Sequence, residues 1–361
     1  MSRSQEPVVS LQDVEIHFGG ESSILPWRKS ADTVRAVDNV SLDIYPNDVV
    51  ALVGESGCGK TTLGKSAVGL QRPTNGSIKY RSQDIWEAKD GQGQVDIPYN
   101  EIREALQIIH QDPGASINPN KKVIKILSVP LRERQPELSR ADREARIYSM
   151  LETVGMTPAG SYAHRYPHQL SGGEQQRVAL IRALLMNPDL ILADEAVSAL
   201  DVSLRIEMMD LMLELQDQFD TSFLFISHNL SNARYFTKKV GGRIGVMYLG
   251  ELVEIGPTDQ IINNPQHPYT QILKWATPGL DIERSEVEDP PLRTIDVPDP
   301  TNKPSGCPFH TRCPEAREVC TTETPNLVKG RVAEHQVACF RSLDNHEYWD
   351  SPELSATTPK Q

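Results

Sequence analysis

The stretch Asp48-Val49-Val50-Ala51-Leu52-Val53-Gly54-Glu55-Ser56-Gly57-Cys58-Gly59-Lys60-Thr61-Thr62 decides the fold of this chain. It opens as a short apolar run, passes into a glycine-rich turn, and is followed by Leu63, Ala67 and Leu70 at helical spacing. The order is therefore strand, phosphate loop, helix. Glycines let backbone N–H groups converge on the β- and γ-phosphates of a nucleotide. Lys60 adds charge, Thr61 offers a hydroxyl to Mg²⁺, and the helix that follows presents its positive end. Cys58 fills a variable slot of the loop, where a small, tolerated side chain is the simpler reading than a redox thiol.

Working outward, Leu190–Ala193 and Phe223–Ile226 are also apolar without alternation, as expected of strands buried on both faces of a parallel sheet. Ser139-Arg140-Ala141-Asp142 reads as a capping box opening a helix with Ile147, Leu151 and Val154 on one face. Val202, Ile206, Met209 and Leu213 form a second helical stripe, read as core packing. Asp194 and Glu195 end the second apolar run, where Asp194 can hold the water shell of Mg²⁺ and Glu195 can polarise an attacking water. His228, just past the third run, is then placed to contact a γ-phosphate. In Leu170-Ser171-Gly172-Gly173-Glu174-Gln175, Ser171 can cap a helix whose first N–H groups, exposed through two glycines, offer a second anion site. One chain needs one γ-phosphate cradle. A second makes sense if two such chains face each other head to tail, each offering Ser171-Gly172-Gly173 to the nucleotide on the other's Lys60 loop.

With 361 residues, 38% of them hydrophobic, the chain can build one large domain plus an appendage. Its net charge of −12 gives no general attraction to phosphate backbones, so nucleic acid is a poor partner. No apolar run approaches the roughly 18–20 residues that cross a bilayer, and Met1–Ser10 lacks a signal-peptide pattern, so a cytoplasmic chain that docks on membrane proteins is expected. From Gly256 the character changes. His267-Pro268-Tyr269-Thr270 precedes an acidic, Pro-rich stretch that cannot form a continuous helix or central strand. The expected division is a nucleotide-binding domain over 1–255 with a helical subdomain at about 112–185, and an extension over 256–340 with a linker at 281–305. A cysteine-bearing segment at 306–340 and a disordered tail at 341–361 complete it.

Taken together, the segments are those of an ATP-binding subunit of an ABC transporter, which the chain resembles: an α/β P-loop NTPase fold with a helical subdomain and a small Cys-rich C-terminal extension. The resemblance makes Gly54, Glu55, Ser56, Gly57, Cys58, Gly59, Lys60, Thr61 and Thr62 the Walker A loop and Gln111 the Q-loop glutamine, which also reaches Mg²⁺. Leu170–Gln175, including Ser171, Gly172, Gly173 and Glu174, becomes the signature. Asp194 and Glu195 become Walker B with its catalytic carboxylate, Ser198-Ala199-Leu200-Asp201 the D-loop, and His228 the switch histidine. Phe18 falls where the family stacks an aromatic on adenine. More narrowly, the chain to about Phe340 resembles the oligopeptide/dipeptide/nickel importer family, nearest its dipeptide F-type subunits. Val197-Ser198-Ala199-Leu200-Asp201-Val202-Ser203, Val246-Met247-Tyr248-Leu249-Gly250, His267–Thr270 and Gly306-Cys307-Pro308-Phe309-His310-Thr311-Arg312-Cys313-Pro314 carry that likeness. Ala196 stands where the family usually has proline, and Asn229 where it usually has aspartate. Neither change removes a proton acceptor or a metal ligand.

Cys307, Cys313, Cys320 and Cys339 are separated by five, six and eighteen residues. Structural zinc usually brings a close C-x₂₋₄-C pair, which is absent, and thiolate tetrads also hold iron–sulfur clusters. The resemblance implies a [4Fe–4S] cluster, acting as a staple for a short module with little core of its own. It further implies ATP and Mg²⁺ as ligands and a related ATPase subunit as heterodimer partner. Two transmembrane permease subunits and an extracytoplasmic solute-binding protein would complete a peptide importer, with this chain peripheral at the cytoplasmic face. Sugar or nickel import is the alternative within the family. A chromosome-maintenance or translation ABC ATPase is the rival outside it, against which the single compact cassette and acidic balance argue.

Overall fold

The computed structural model describes residues 6–19, 33–280, 291–330 and 334–354. At its centre lies β3 (Val49–Val53), the run that opens the phosphate loop, with every residue buried. It is flanked in parallel by β8 (Ser222–Ile226) and β9 (Arg243–Tyr248), and β8 is followed outward by β7 (Leu190–Asp194) and β6 (Leu106–Ile109). On the other side β10 (Glu251–Pro257), β12 (Gln336–Val337) and β11 (Val328–Lys329) extend the same sheet antiparallel to eight strands. A second sheet of four strands, in the order β2-β1-β4-β5, is antiparallel and built from β1 (Val9–Phe18), β2 (Val34–Ile44), β4 (Asn75–Tyr80) and β5 (Gln83–Asp84).

The two-residue side-chain period explains why the central strands read as unbroken apolar runs. Val49, Ala51 and Val53 of β3, with Phe223 and Phe225 of β8, face one apolar cluster, which the helices of the middle of the chain also fill. Val50, Leu52, Leu224 and Ile226 face the other, shared with β1, β2 and helix α1 (Lys60–Ala67). The polar residues these strands bury stand at their ends: Ser222, whose hydroxyl donates to the Tyr45 carbonyl at 2.9 Å, and Asp194.

After α2 (Ile85–Asp90) and α3 (Tyr99–Ala105), a helical layer occupies the span between β6 and β7: α4 (Pro113–Ser116), α5 (Val123–Arg134), α6 (Arg140–Thr153), α7 (Ala159–Ala163) and α8 (Gly172–Leu184). Ser139 Oγ accepts the Asp142 N–H at 3.2 Å and caps α6, which buries Ile147 and Leu151. The stripe on α9 (Val202–Phe219) is core only in its second half. Met209 and Leu213 are buried, whereas Val202 is 69% and Ile206 39% exposed. Helical periodicity reports that a face is apolar, not what covers it, and α9 begins at the exposed Asp201 turn.

Helices α10 (Leu230–Lys238), α11 (Thr258–Asn263) and α12 (Pro268–Trp275) follow, and α13 (Val319–Thr322) lies in the cysteine segment. Residues 281–290 of the expected linker lie outside the described residues. The described remainder, 291–305, is fastened to the domain: Lys303 Nζ donates to Asp38 at 2.8 Å and also to Glu251. The expected disordered tail is corrected through Leu354. Tyr348 is buried with Val319, Cys320 and Phe340, its hydroxyl donates to the Glu315 carbonyl at 2.7 Å, and Arg317 donates to the carbonyls of Tyr348, Trp349 and Ser351. A polar average conceals one buried aromatic, Tyr348; residues 355–361 lie outside the described residues. Among the described residues no helix is long and apolar enough to cross a membrane.

Candidate functional site

The C-terminal ends of β3, β7 and β8 deliver three groups to one mouth, as parallel strands do for ligand-bearing loops. Lys60 is buried at the start of α1, and its Nζ donates to the carbonyls of Gly54 and Glu55 at 2.9 Å each and lies 3.5 Å from Cys58 Sγ. Its three donors therefore each face an acceptor on the loop. Thr61 Oγ1 donates to Asp194 Oδ1 at 2.8 Å. Burial lifts the Asp194 carboxyl above its ordinary range, and the Thr61 hydroxyl pulls it partly back. A desolvated carboxylate beside a hydroxyl at a helix N-terminus is a donor set suited to a small hard cation.

Glu195 follows with φ 49°, a left-handed conformation rare for residues with a side chain. Its N–H donates to the Ile226 carbonyl at 3.1 Å, and its own carbonyl accepts from Ser198 Oγ at 2.8 Å. Those contacts hold the strained turn and aim the carboxylate at His228, whose Nδ1 stands 3.3 Å from Glu195 Oε2. Asn229, where an aspartate is usual in the family, caps α10 by accepting the Ser231 and Asn232 N–H groups, so the exchange costs the cap nothing.

Several expected residues stand apart. Ser56 and Gly57 form the exposed crest of the loop, Thr62 lies on α1, and Gln111 is exposed just beyond β6. Phe18 ends β1 and is 43% exposed. Asp201 is spent as the cap of α9, accepting the Leu204 N–H at 3.0 Å. Ser171 and Glu174 make a reciprocal capping box on α8, with Ser171 Oγ accepting the Glu174 N–H at 3.3 Å and Glu174 Oε2 accepting the Ser171 N–H at 2.7 Å. Gly172 has open space beside it, and Gly173 lies near Leu200 and Leu204. Among the described residues no hydrogen bond or ion pair joins the 170–175 segment to the phosphate loop, Asp194, Glu195 or His228.

Cys58 is buried beneath the loop, and burial raises its thiol. Cys307, Cys313, Cys320 and Cys339 line one cavity with Phe309, Phe340 and Tyr348. Burial pushes the Cys313 thiol up to about 12 and the Cys339 thiol up to about 11, and raises those of Cys307 and Cys320. Four thiols on one apolar-walled cavity suit an iron–sulfur group chemically. Yet among the described residues no group of three or more His, Cys, Asp or Glu side chains is gathered closely enough to hold a metal ion. The expected cluster thus has a shared cavity but no formed cage.

Two residues near the loop carried no role in the sequence reading. The Glu55 N–H donates to Tyr269 Oη at 2.9 Å, and Arg312 grips the Glu55 carboxylate with both terminal guanidinium nitrogens, Nη1 and Nη2. They lie 214 and 257 residues from Glu55, so no local spacing announces them.

Residues 37–198 match the family described as ABC transporter, and residues 253–320 match the oligopeptide/dipeptide transporter C-terminal region. The oligopeptide transport ATP-binding protein AppF of Bacillus subtilis is 39% identical, covering 93% of this chain and 98% of its own. The dipeptide transport ATP-binding protein DppF of Escherichia coli is also 39% identical, covering 95% of this chain and 96% of its own. Among solved structures, the dimeric ATP-binding cassette MJ0796 in a post-hydrolysis state with ADP and Pi is 25% identical at a TM-score of 0.56, covering 69% of this chain and 98% of that one. CbiO1 from Clostridium perfringens, part of the ABC transporter complex cbiONQ, shares the fold at a TM-score of 0.58 and 20% identity, covering 72% of this chain and 92% of its own. The chain is an ATP-binding protein and an ATPase, and it belongs to the ABC transporter family, in the branch that carries the oligopeptide/dipeptide transporter C-terminal region.

Proposed function

We propose that this chain is the ATP-hydrolysing subunit of a multi-subunit ABC importer that powers uptake of oligopeptides or dipeptides. It works peripherally at the cytoplasmic face of the membrane, with two transmembrane permease subunits and an extracytoplasmic solute-binding protein. The peptide assignment is supported by the names of the relatives and by the C-terminal region they share with this chain.

The observation that supports the mechanism is the pairing of Thr61 with Asp194 and of Glu195 with His228 at one mouth, with Ser171-Gly172-Gly173 bonded to neither pair among the described residues. Lys60 exchanges loop carbonyls for the β- and γ-phosphates and offsets their charge. Glu195 accepts a proton from a water whose oxygen bonds to the γ-phosphorus as the bond to the departing ADP oxygen breaks. His228 orients that carboxylate and faces the γ-phosphate. Mg²⁺, when bound, supplies charge stabilisation at the phosphate oxygens; Thr61, Asp194 and Gln111 would hold it. Phe18 stacks on the adenine.

The site needs a second chain: the α8 N-terminus, the other half of a phosphate cradle, makes no hydrogen bond or ion pair with this chain's own phosphate loop among the described residues. A related ATPase subunit facing it head to tail fits, and the exposed Val202, Leu204 and Ile206 beside the signature are the apolar surface such a partner would cover. We infer also that Cys307, Cys313, Cys320 and Cys339 hold a [4Fe–4S] cluster, supported by their common cavity. The deciding experiment reconstitutes the complete transporter and measures ATP turnover as the binding protein is loaded. Peptides should raise it. Stimulation by sugars or nickel but not by any peptide would overturn the substrate assignment.

A further inference from the structure

The phosphate loop is held from outside its own domain segment. Tyr269, on α12, accepts the Glu55 N–H at 2.9 Å. Arg312, in the turn that leads into Cys313, donates to Glu55 Oε1 and Oε2 at 2.9 to 3.0 Å through Nη1 and at 3.0 Å to Oε1 through Nη2. Arg312 is 4% exposed, its guanidinium 5.8 Å from the ring centres of both Tyr248 and Phe309, and Nη1 also donates to Tyr248 Oη at 3.4 Å. Tyr248, Tyr269 and Phe309 pack on one another at 4.7, 5.1 and 5.4 Å between centres. A planar fork set among rings cannot swing as a lysine would, and it fixes the direction of the carboxylate it grips. The opposite end of the same residue matters most. The Glu55 carbonyl is an acceptor for Lys60 Nζ, so one residue joins this outer grip to the lysine that meets the phosphates.

We propose that Tyr269 and Arg312 are positioning residues for the phosphate loop, fixing Glu55 and thereby setting its affinity for the triphosphate. The proposal deepens the ATPase reading above and rests on it. Both residues act through Glu55, and both belong to the segment between β10 and β11. The C-terminal extension is thus part of the nucleotide site.

The test uses the purified full chain and a fluorescent ATP analogue with Mg²⁺, comparing Tyr269→Phe, Arg312→Lys, Arg312→Gln, Glu55→Gln and the Glu55→Gln/Arg312→Gln pair, each melted in parallel. Tyr269→Phe and Arg312→Gln should raise Kd roughly five- to tenfold. Arg312→Lys should fall between, because an ammonium keeps the charge but not the fork. The double variant should bind no worse than the weaker single one, the mark of two groups acting as a unit. In the assembled transporter Tyr269→Phe and the two Arg312 variants should raise KM for ATP while kcat stays within about twofold. A purely structural ion pair would lower melting temperature without this split. Wild-type Kd in variants that melt normally, or additive losses in the double variant, would overturn the proposal. If Arg312→Gln does not fold, Tyr269→Phe, which deletes one hydroxyl, decides alone. A wild-type chain that fails to bind the analogue would remove the ATPase reading and this proposal with it.

Discussion

Alanine at position 59, compared with alanine at position 57, separates two demands that the phosphate loop makes of its glycines. Gly57 has φ +81° and no atom within 4 Å of where a Cβ would stand, so Gly57→Ala meets only the left-handed backbone cost, about 1 kcal/mol. Gly59 has φ +101°, and its Cβ would lie 2.1 Å from the Ala36 carbonyl oxygen, more than an ångström inside ordinary contact. Ala36 is held in β2, and Gly59 caps α1, so relief means moving the helix end that faces the phosphates. Strain and displacement together should cost about 3 kcal/mol, or about a hundredfold in the folding equilibrium. Denaturant unfolding of the full chain measures this, and an ATP titration checks that Gly59→Ala also weakens binding more than Gly57→Ala. If the two variants unfold within about 0.5 kcal/mol of each other, the clash argument is wrong.

Glu195→Gln should leave ATP binding intact and lower phosphate release by at least about a hundredfold, since the amide keeps the shape but accepts no proton; unimpaired release would reassign the base. Burial lowers His267 to about 4, against about 6.5 when unfolded, so the native state keeps it neutral while the unfolded chain takes up a proton. Its contribution is therefore intact above pH 6.5 and is lost as pH falls toward 4, amounting to about 2 kcal/mol by pH 5. His267→Asn, which keeps a cap for α12, should flatten the fall in urea stability between pH 7 and pH 5, and an unchanged slope would clear His267 of the role. Chain purified without oxygen should carry iron and acid-labile sulfide, and Cys313→Ser should lose both; stoichiometric zinc with neither would end the cluster assignment.

The layout of the candidate site was legible because its pieces are contiguous. The apolar runs ending at Val53, Ala193 and Ile226 read as central strands, since an unbroken apolar run without alternation is what burial on both faces of a parallel sheet selects. Gly54–Thr62, Asp194-Glu195 and His228 sit at the ends of those runs, and the structure gathers Lys60, Thr61, Asp194, Glu195 and His228 there. The cap of α8 by Ser171 was legible for the same reason, a donor and an acceptor three residues apart. Val202 and Ile206 were misread because a periodic apolar stripe is silent about which neighbour meets it. The tail through Leu354 was misread because average polarity conceals Tyr348, whose partners Val319 and Phe340 are supplied from elsewhere.

The sequence by itself thus determined the strand, loop and helix of the nucleotide site and the chemical type of each group at its mouth, because those follow from local backbone geometry and from short-range burial. Only the tertiary structure decided that Arg312 and Tyr269 close on Glu55, that Lys303 pins the described part of the linker to Asp38 and Glu251, and that β11 and β12 extend the nucleotide-binding sheet. These contacts join residues far apart in the chain. Their free energy comes from partly buried charge pairs and ladder hydrogen bonds that exist only after the chain has closed on itself, and no local pattern of residues encodes which distant groups will meet.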